Sequence, residues 1–401
     1  MKEIHELIEA ELSTFVQLRH DIHQHPELAF AENRTSDKVA ALLEQWGYKV
    51  ERGIGGTGLV AQLQAGNGDR RIGIRADMDA LPITEESGVA HTSQHTGKMH
   101  ACGHDGHTVM LLAAAKVLAS RKSFNGTLNL IFQPAEEYGK SGSGAMRMIA
   151  DGLFEKYPCD AVYGMHNMPG YPQGQLHFYD GWMMASSDVA TITVKGVGGH
   201  GAKPHNTHDP IVAASSIVMA LQTIVSRNVS PLDSAVVTVG MFHAGVANNV
   251  IPEQAELKLT VRCFKPEVRK LLQQRIVAIA QAQAQSFNVV AEVDYQHGYA
   301  PVFNTSKETQ FARQVAREVV AEENIVDQTE PMAGSEDFAF MLEKCPGSYL
   351  FIGNGLKEVD AASGFDLHNP YYDFNDKNIA IGATYWVALA ERFLNKSDLN
   401  F

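Results

Sequence analysis

Residues 108–132 read TVMLLAAAKVLASRKSFNGTLNLIF. The stretch 108–119 is small and aliphatic with one charge, Lys116, which predicts a core helix. Residues 128–132 follow as a short apolar strand. Upstream, behind the turn-rich stretch 53–58, lie two more strands over 59–63 and 72–75. Ile4, Leu7, Ile8, Leu12, Phe15 and Leu18 fall at helical spacing and predict one helix over 3–22, and 36–46 repeats the pattern. Strands alternating with helices predict an α/β fold, a largely parallel sheet flanked by helices on both faces.

The rhythm changes near Ala185. Residues 189–194 alternate as a strand, 210–225 read as a helix, 236–242 and 255–262 as strands, 266–285 as a helix and 289–295 as a strand. That order is the ferredoxin-like split unit, so 185–295 is expected to fold as an inserted α+β domain, with 1–184 and 296–401 forming the other. Helices over 307–320, 335–342 and 375–393 and a strand over 349–352 resume the first pattern.

A chain of 401 residues exceeds what one core ordinarily serves, which agrees with two domains. The formal charge of -13, without a cluster of Lys and Arg, argues against nucleic acid as partner. The opening MKEIHELIEAELSTF is acidic where a signal peptide would be basic and apolar. No apolar run approaches the roughly 20 residues that cross a bilayer, so no membrane partner is expected. Four cysteines without close spacing do not form a disulfide framework, and a reducing, cytoplasmic location is expected.

Four segments carry chemistry. In HACGHDGH (100–107) a thiolate and an imidazole one residue apart can converge on a metal where Gly103 lets the chain bend. The bland alternative is a set of histidines solvating a helix start. In IFQPAEEY (131–138) two carboxylates follow an apolar strand, the end at which parallel sheets present functional groups. Adjacent acids usually mark a solvated turn, but directly behind a buried strand they call for a cation. AVYGMHN (161–167) delivers His166 from another apolar strand, and FDLHNP (365–370) carries His368 in a loop before the last helix. Either histidine alone is more often structural than a ligand; alongside the first two segments the reading reverses.

These segments, in this order, resemble the aminoacylase family of two-metal peptidases and amidohydrolases, and within it the hippurate hydrolase branch. The likeness spans essentially the whole chain, through LRHDIHQHPE (18–27), RADMDALP (75–82), CGHDGH (102–107), QPAEE (133–137), GHGAKPH (199–205), NNVIP (248–252) and GSEDF (334–338). It implies a zinc-exopeptidase-like catalytic domain, with the insert as lid and dimerisation domain of a homodimer. It also implies two divalent ions (Zn, Mn, Co or Ni) bridged by Cys102, with His104 and His166 on one ion and Glu137 and His368 on the other. Glu136 would be the general base, taking a proton from a water between the ions, and His200 would stabilise the oxyanion. Asn249 and Arg262 would bind the substrate carboxylate and Glu336 would line the amine side. Asp77 and Asp79 would support the metals through hydrogen bonds; where many members carry a histidine after strand 72–75 this chain has Asp77, as the branch does. His20, His23, His25, His91 and His95 are expected to be structural or solvated.

The implied reaction is hydrolysis of N-acyl amino acids. A dipeptidase or carboxypeptidase would use the same chemistry on a different substrate. A non-catalytic metal-dependent binding protein would have lost the base or a ligand, and both are present. A nicotinamide enzyme is excluded because GIGGTG (53–58) precedes a strand and does not join a strand to a helix.

Overall fold

The computed structural model describes residues 2–360 and 363–395. The chain forms two compact units, one made of the stretch ending at Gly181, Phe303–Glu330 and the stretch from Asp337, the other of Trp182–Val302 and Pro331–Glu336.

The first unit is built on an eight-stranded sheet. Its order is Lys49–Ile54, Gly58–Ala65, Gly126–Gln133, Arg71–Asp77, Ala161–Pro169, Gly347–Gly355, Leu176–His177, Ile325–Val326. The four central strands are mutually parallel. They are buried along nearly their whole length, which is why they read as continuous apolar runs. Toward one edge the sheet turns antiparallel, because Gly58–Ala65 pairs in opposite sense with both Gly126–Gln133 and Lys49–Ile54. The turn-rich stretch therefore closes a hairpin whose first strand alternation did not reveal.

The helix His104–Arg121 is buried around its circumference, since it packs against strand Arg71–Asp77 on one side and helices Lys377–Asn395 and Leu12–Gln24 on others. Alanine and leucine on all faces suit that position, and a polar face would not. The single helix expected over 3–22 is two, Lys2–Glu9 and Leu12–Gln24, broken at Ala10 and Glu11. The helix expected from 335 starts at Phe338. Residues 331–336 are held instead by the second unit, where Met332 donates to the Met183 carbonyl and Ala185 donates to Met332 and Gly334.

The second unit is the split α+β unit. Its four-stranded antiparallel sheet runs Ala235–Ala244, Gln254–Cys263, Asp188–Lys195, Val290–His297. Helices Pro210–Arg227 and Pro266–Ser286 cover one face, with Ala213, Ile217, Leu221, Leu272 and Ile276 in its core. Among the described residues, Pro210–Arg227 is the one helix long and apolar enough to cross a membrane. Its buried stripe lies on this sheet.

Candidate metal centre

The centre lies around the carboxyl ends of the parallel strands, where an open α/β sheet leaves its crevice. Gly103, at φ +87°, turns the chain into helix His104–Arg121, and a Cβ there would stand 2.2 Å from Asn167 Oδ1. Only glycine fits, and the turn sets Cys102 and His104 at the helix start. Strand Gly126–Gln133 ends in Pro134 and runs through Ala135, left-handed at φ +50°, into the short 3-10 turn Glu136–Tyr138. Strand Ala161–Pro169 carries His166 and continues past it to Pro169, paired with Gly347–Gly355. His368 is also left-handed, at φ +64°, and its amide donates to Ala101 at 2.8 Å. A non-glycine residue held there at a conformational cost marks a functional constraint.

The donor atoms of Cys102, His104 and His166 lie within 4.8 Å of one another, and so do those of Cys102, Glu137 and His368. The two groups share one thiol. Cys102 Sγ is 3.3 Å from His166 Nε2. His368 Nε2 is 2.9 Å from Glu137 Oε1, yet the pair is out of line for a hydrogen bond, as two donors facing a common point would be. Buried His104 makes no well-aligned side-chain hydrogen bond, although its Nδ1 stands 3.3 Å from Asp79 and its Nε2 3.7 Å from Asp77. His166 Nδ1 is 2.6 Å from the Asn167 carbonyl and donates to it, which leaves the Nε2 lone pair for a ligand bond.

The electrostatics ask for cations. Burial and the charges of Glu137 and Glu136 push the Cys102 thiol well up, so it stays protonated without a metal. Burial alone would lower His104, but Asp77 and Asp79 draw a proton onto it and raise it to about 10. Burial also holds His166 well below the usual range, as a neutral imidazole. Thiolate, imidazole and carboxylate sharing one atom between two triads is a donor set that fits two divalent ions, and such an ion would replace the proton on Cys102.

Asp77, by contrast, is fully engaged. Its Oδ1 takes His107 Nδ1 at 2.7 Å and its Oδ2 takes Arg75 at 2.7 Å. Burial would raise its pKa, but His104 and Arg75 hold it well below the carboxylate range. His107 Nε2 lies 2.7 Å from Asn167 Oδ1 and 3.0 Å from the Asn167 amide nitrogen, so this side chain braces the residue next to His166. The buried Arg75 guanidinium also donates to Gln133 at 2.9 Å and to Asp337 at 3.3 Å. Arg75→Leu removes the guanidinium shared by buried Asp77 and Asp337, and urea unfolding is expected to show a loss of about 3–5 kcal/mol. A loss under about 1 kcal/mol would mean that Arg75 is not the compensating charge.

The remaining residues singled out in the sequence lie on the second unit. His200 and Asn249 are neighbours there, because strand Gly199–His200 pairs with Val250–Ile251 and Gly201 donates to the Asn249 carbonyl at 2.7 Å. Both side chains are exposed. His200 Nδ1 accepts the Ala202 amide at 3.0 Å, so the ring proton sits on Nε2. Arg262 is half-buried and reaches the Ser335 hydroxyl at 3.1 Å, next to buried Glu336.

Asp79 makes the supporting hydrogen bonds expected of it, whereas sequence reasoning gave no role to Glu32 or Arg19 and named no partners for the histidines around the centre. Asp79 accepts the Glu136 and Glu137 amides, each at 2.9 Å, and buried Glu32 accepts the Ala135 amide at 2.8 Å. Buried Arg19 binds Asp373 at 2.7 Å and Asp376 at 2.8 Å. His23 sits between Asp105 at 2.8 Å and Glu85 at 3.2 Å; burial would lower it, but Asp105 pushes it up to about 9. His91 meets Asp373 and His20 meets Asp376. Of these histidines His23 bonds Asp105 in the segment that carries Cys102, and the LRHDIHQHPE stretch that supplies His20 and His23 was the available signal.

The chain is similar to proteins of one family. A family model described as peptidase family M20/M25/M40 matches residues 73–392. A hippurate hydrolase of Campylobacter jejuni is 46% identical over 381 residues, covering 95% of this chain and 96% of its own. An N-acetyl-L-cysteine deacetylase of Bacillus subtilis is 37% identical over 384 residues, covering 96% and 89%. The crystal structure of a dinuclear-metal-binding M20 peptidase from Bacillus subtilis superposes with a TM-score of 0.83 at 31% identity, covering 96% and 99%. With these matches spanning nearly the whole chain and the donor set in place, the protein belongs to peptidase family M20/M25/M40.

Proposed function

We propose that this protein is a two-metal amidohydrolase that cleaves the amide bond of N-acyl amino acids. Two divalent ions (Zn, Mn, Co or Ni) would be held here, with Cys102 as the shared ligand, His104 and His166 completing one site, and Glu137 and His368 the other. The observation that carries the reading is the pair of donor groups meeting at Cys102, beside a Glu136 whose amide is pinned. The mixed thiolate, imidazole and carboxylate set suits zinc, and it also accepts manganese, cobalt or nickel according to metal supply. The relatives named for hippurate and N-acetyl-L-cysteine support a benzoyl or acetyl amino acid as substrate.

Two divalent cations bound here would lower the pKa of a water and polarise the acyl oxygen. Glu136 accepts the proton of the attacking water and passes it to the amine nitrogen as the carbon–nitrogen bond breaks. The products are a carboxylate and a free amino acid, and Glu136 returns to its ionised form. His200, protonated at Nε2, donates to the acyl oxygen as charge develops there, from its own chain or from a partner subunit. Arg262 and Asn249 hold the substrate carboxylate, and Glu336 lines the amine side. His200→Ala is expected to lower kcat by about 10²–10³-fold with metal content unchanged, and a loss below about tenfold removes it from this role.

The deciding experiment measures zinc, manganese, cobalt and nickel in the purified protein and its rates on N-benzoyl and N-acetyl amino acids and dipeptides, before and after chelation. Hydrolysis of the acyl amino acids that is lost on chelation and restored by zinc is expected. Undiminished activity after chelation, or activity on dipeptides alone, overturns the reading.

A homodimer through the second unit is part of the proposal. Strand Ala235–Ala244 is an edge, and helix Pro210–Arg227 exposes Ile211, Val212, Met219 and Val225. A monomer in sedimentation at micromolar concentration would rule it out. A cytoplasmic location is proposed as well, supported by four cysteines that are all free thiols.

A further inference from the structure

The turn that carries Glu136 is held by two buried acids, and one of them comes from far away in the chain. Glu32 stands at the N-cap of helix Asn33–Gln45 but makes no side-chain cap to that helix. A cap is the ordinary local use of an acid at this position. Its carboxylate turns instead to the Ala135 amide at 2.8 Å and to the Thr57 hydroxyl. Ala135 is fully buried and left-handed, so that without Glu32 its N–H has no solvent to turn to. The next two amides, of Glu136 and Glu137, both go to Asp79. Three consecutive N–H groups thus rest on two carboxylates, and Glu32 holds the first, at the residue whose backbone sets the direction of the next side chain. The Ala135 carbonyl accepts from Gly144, at a point where a Cβ on Gly144 would stand 1.6 Å from the Pro134 oxygen, so the far side of the turn is closed too.

We infer that Glu32 is a positioning residue: by holding the Ala135 amide it keeps the left-handed turn that aims the Glu136 carboxylate, and it serves turnover without touching substrate or metal. This rests on the reading of Glu136 as base.

The test compares Glu32→Ala, Glu32→Asp and Glu32→Gln with the wild type and with Glu136→Gln. It reads kcat and KM on N-benzoylglycine, bound metal, urea unfolding and amide hydrogen exchange of the peptide spanning 132–139. Glu32→Ala is expected to lower kcat by on the order of 10²-fold, as misplacement of a reacting group does, with KM and metal within about twofold. Exchange at 135–137 should rise. Glutamine still offers an oxygen to the Ala135 amide and should restore both kcat and protection. If Glu32→Ala does not fold, Glu32→Asp carries the test, because an acceptor one methylene shorter should show the same loss of kcat. Wild-type kcat in the folded shortened variant, a glutamine variant as slow as the alanine one, or a loss that tracks metal content overturns the inference. An active Glu136→Gln would instead bring down the assignment of the base. An inactive Glu136→Gln beside a fully active Glu32→Ala brings down only the role of Glu32.

Discussion

Glu136→Gln is expected to keep its metal ions and to lose turnover by on the order of 10³-fold or more, near the upper range for removal of a general base. Glutamine has the shape of glutamate but takes no proton from water and gives none to the departing amine. The turn should survive the change, because it is held through its backbone: Asp79 accepts the Glu136 amide and Glu32 the Ala135 amide. Nor is Glu136 a member of either donor group that shares Cys102. Amino acid release in a stopped assay, together with elemental analysis of the same sample, checks both halves. A variant that loses its metal along with its activity would recast Glu136 as a ligand, and one that turns over normally would place the base elsewhere.

Cys102→Ala should be the more damaging change, since a single atom leaves both donor groups at once. Bound metal is expected to fall and activity to vanish, because neither triad keeps three protein donors. Cys102→Asp tests the sharing itself. A carboxylate has two oxygens with which to span two cations, so the aspartate variant should regain metal and part of the rate. Full metal content in the alanine variant would show that the shared thiol is not the bridge. Recovery with aspartate but not with serine would point to the charged, two-sided donor as what the site requires.

The periodic parts of the chain were legible because their physics is local. A largely apolar helix within His104–Arg121, four buried parallel strands and the order of strands and helices in the split unit follow from side-chain spacing and composition. The hairpin strand Lys49–Ile54 was harder, since its mixed exposure erases the period of two. The short segment 331–336 was invisible for another reason. Its partners, Met183 and Ala185, lie about 150 residues back, and backbone pairing leaves no trace in side-chain pattern.

The same division runs through the site. Residue type and the motifs around Cys102, Glu136, Glu137, His166 and His368 are enough to single out candidate donors and a candidate base. By itself the sequence determined which groups with lone pairs to offer lie at strand and helix ends. Only the tertiary structure decided that Cys102 stands in both triads, that Asp77 is occupied by His107 and Arg75, and that His23, Arg19 and Glu32 brace the segments around the centre. Glu32 and Ala135 are 103 residues apart, and Arg75 and Asp337 are 262 apart. Which buried acid meets which buried cation depends on strand order and on the crossing of helices over the sheet. Burial then makes each of those pairings costly to break, and no local pattern in the chain encodes it.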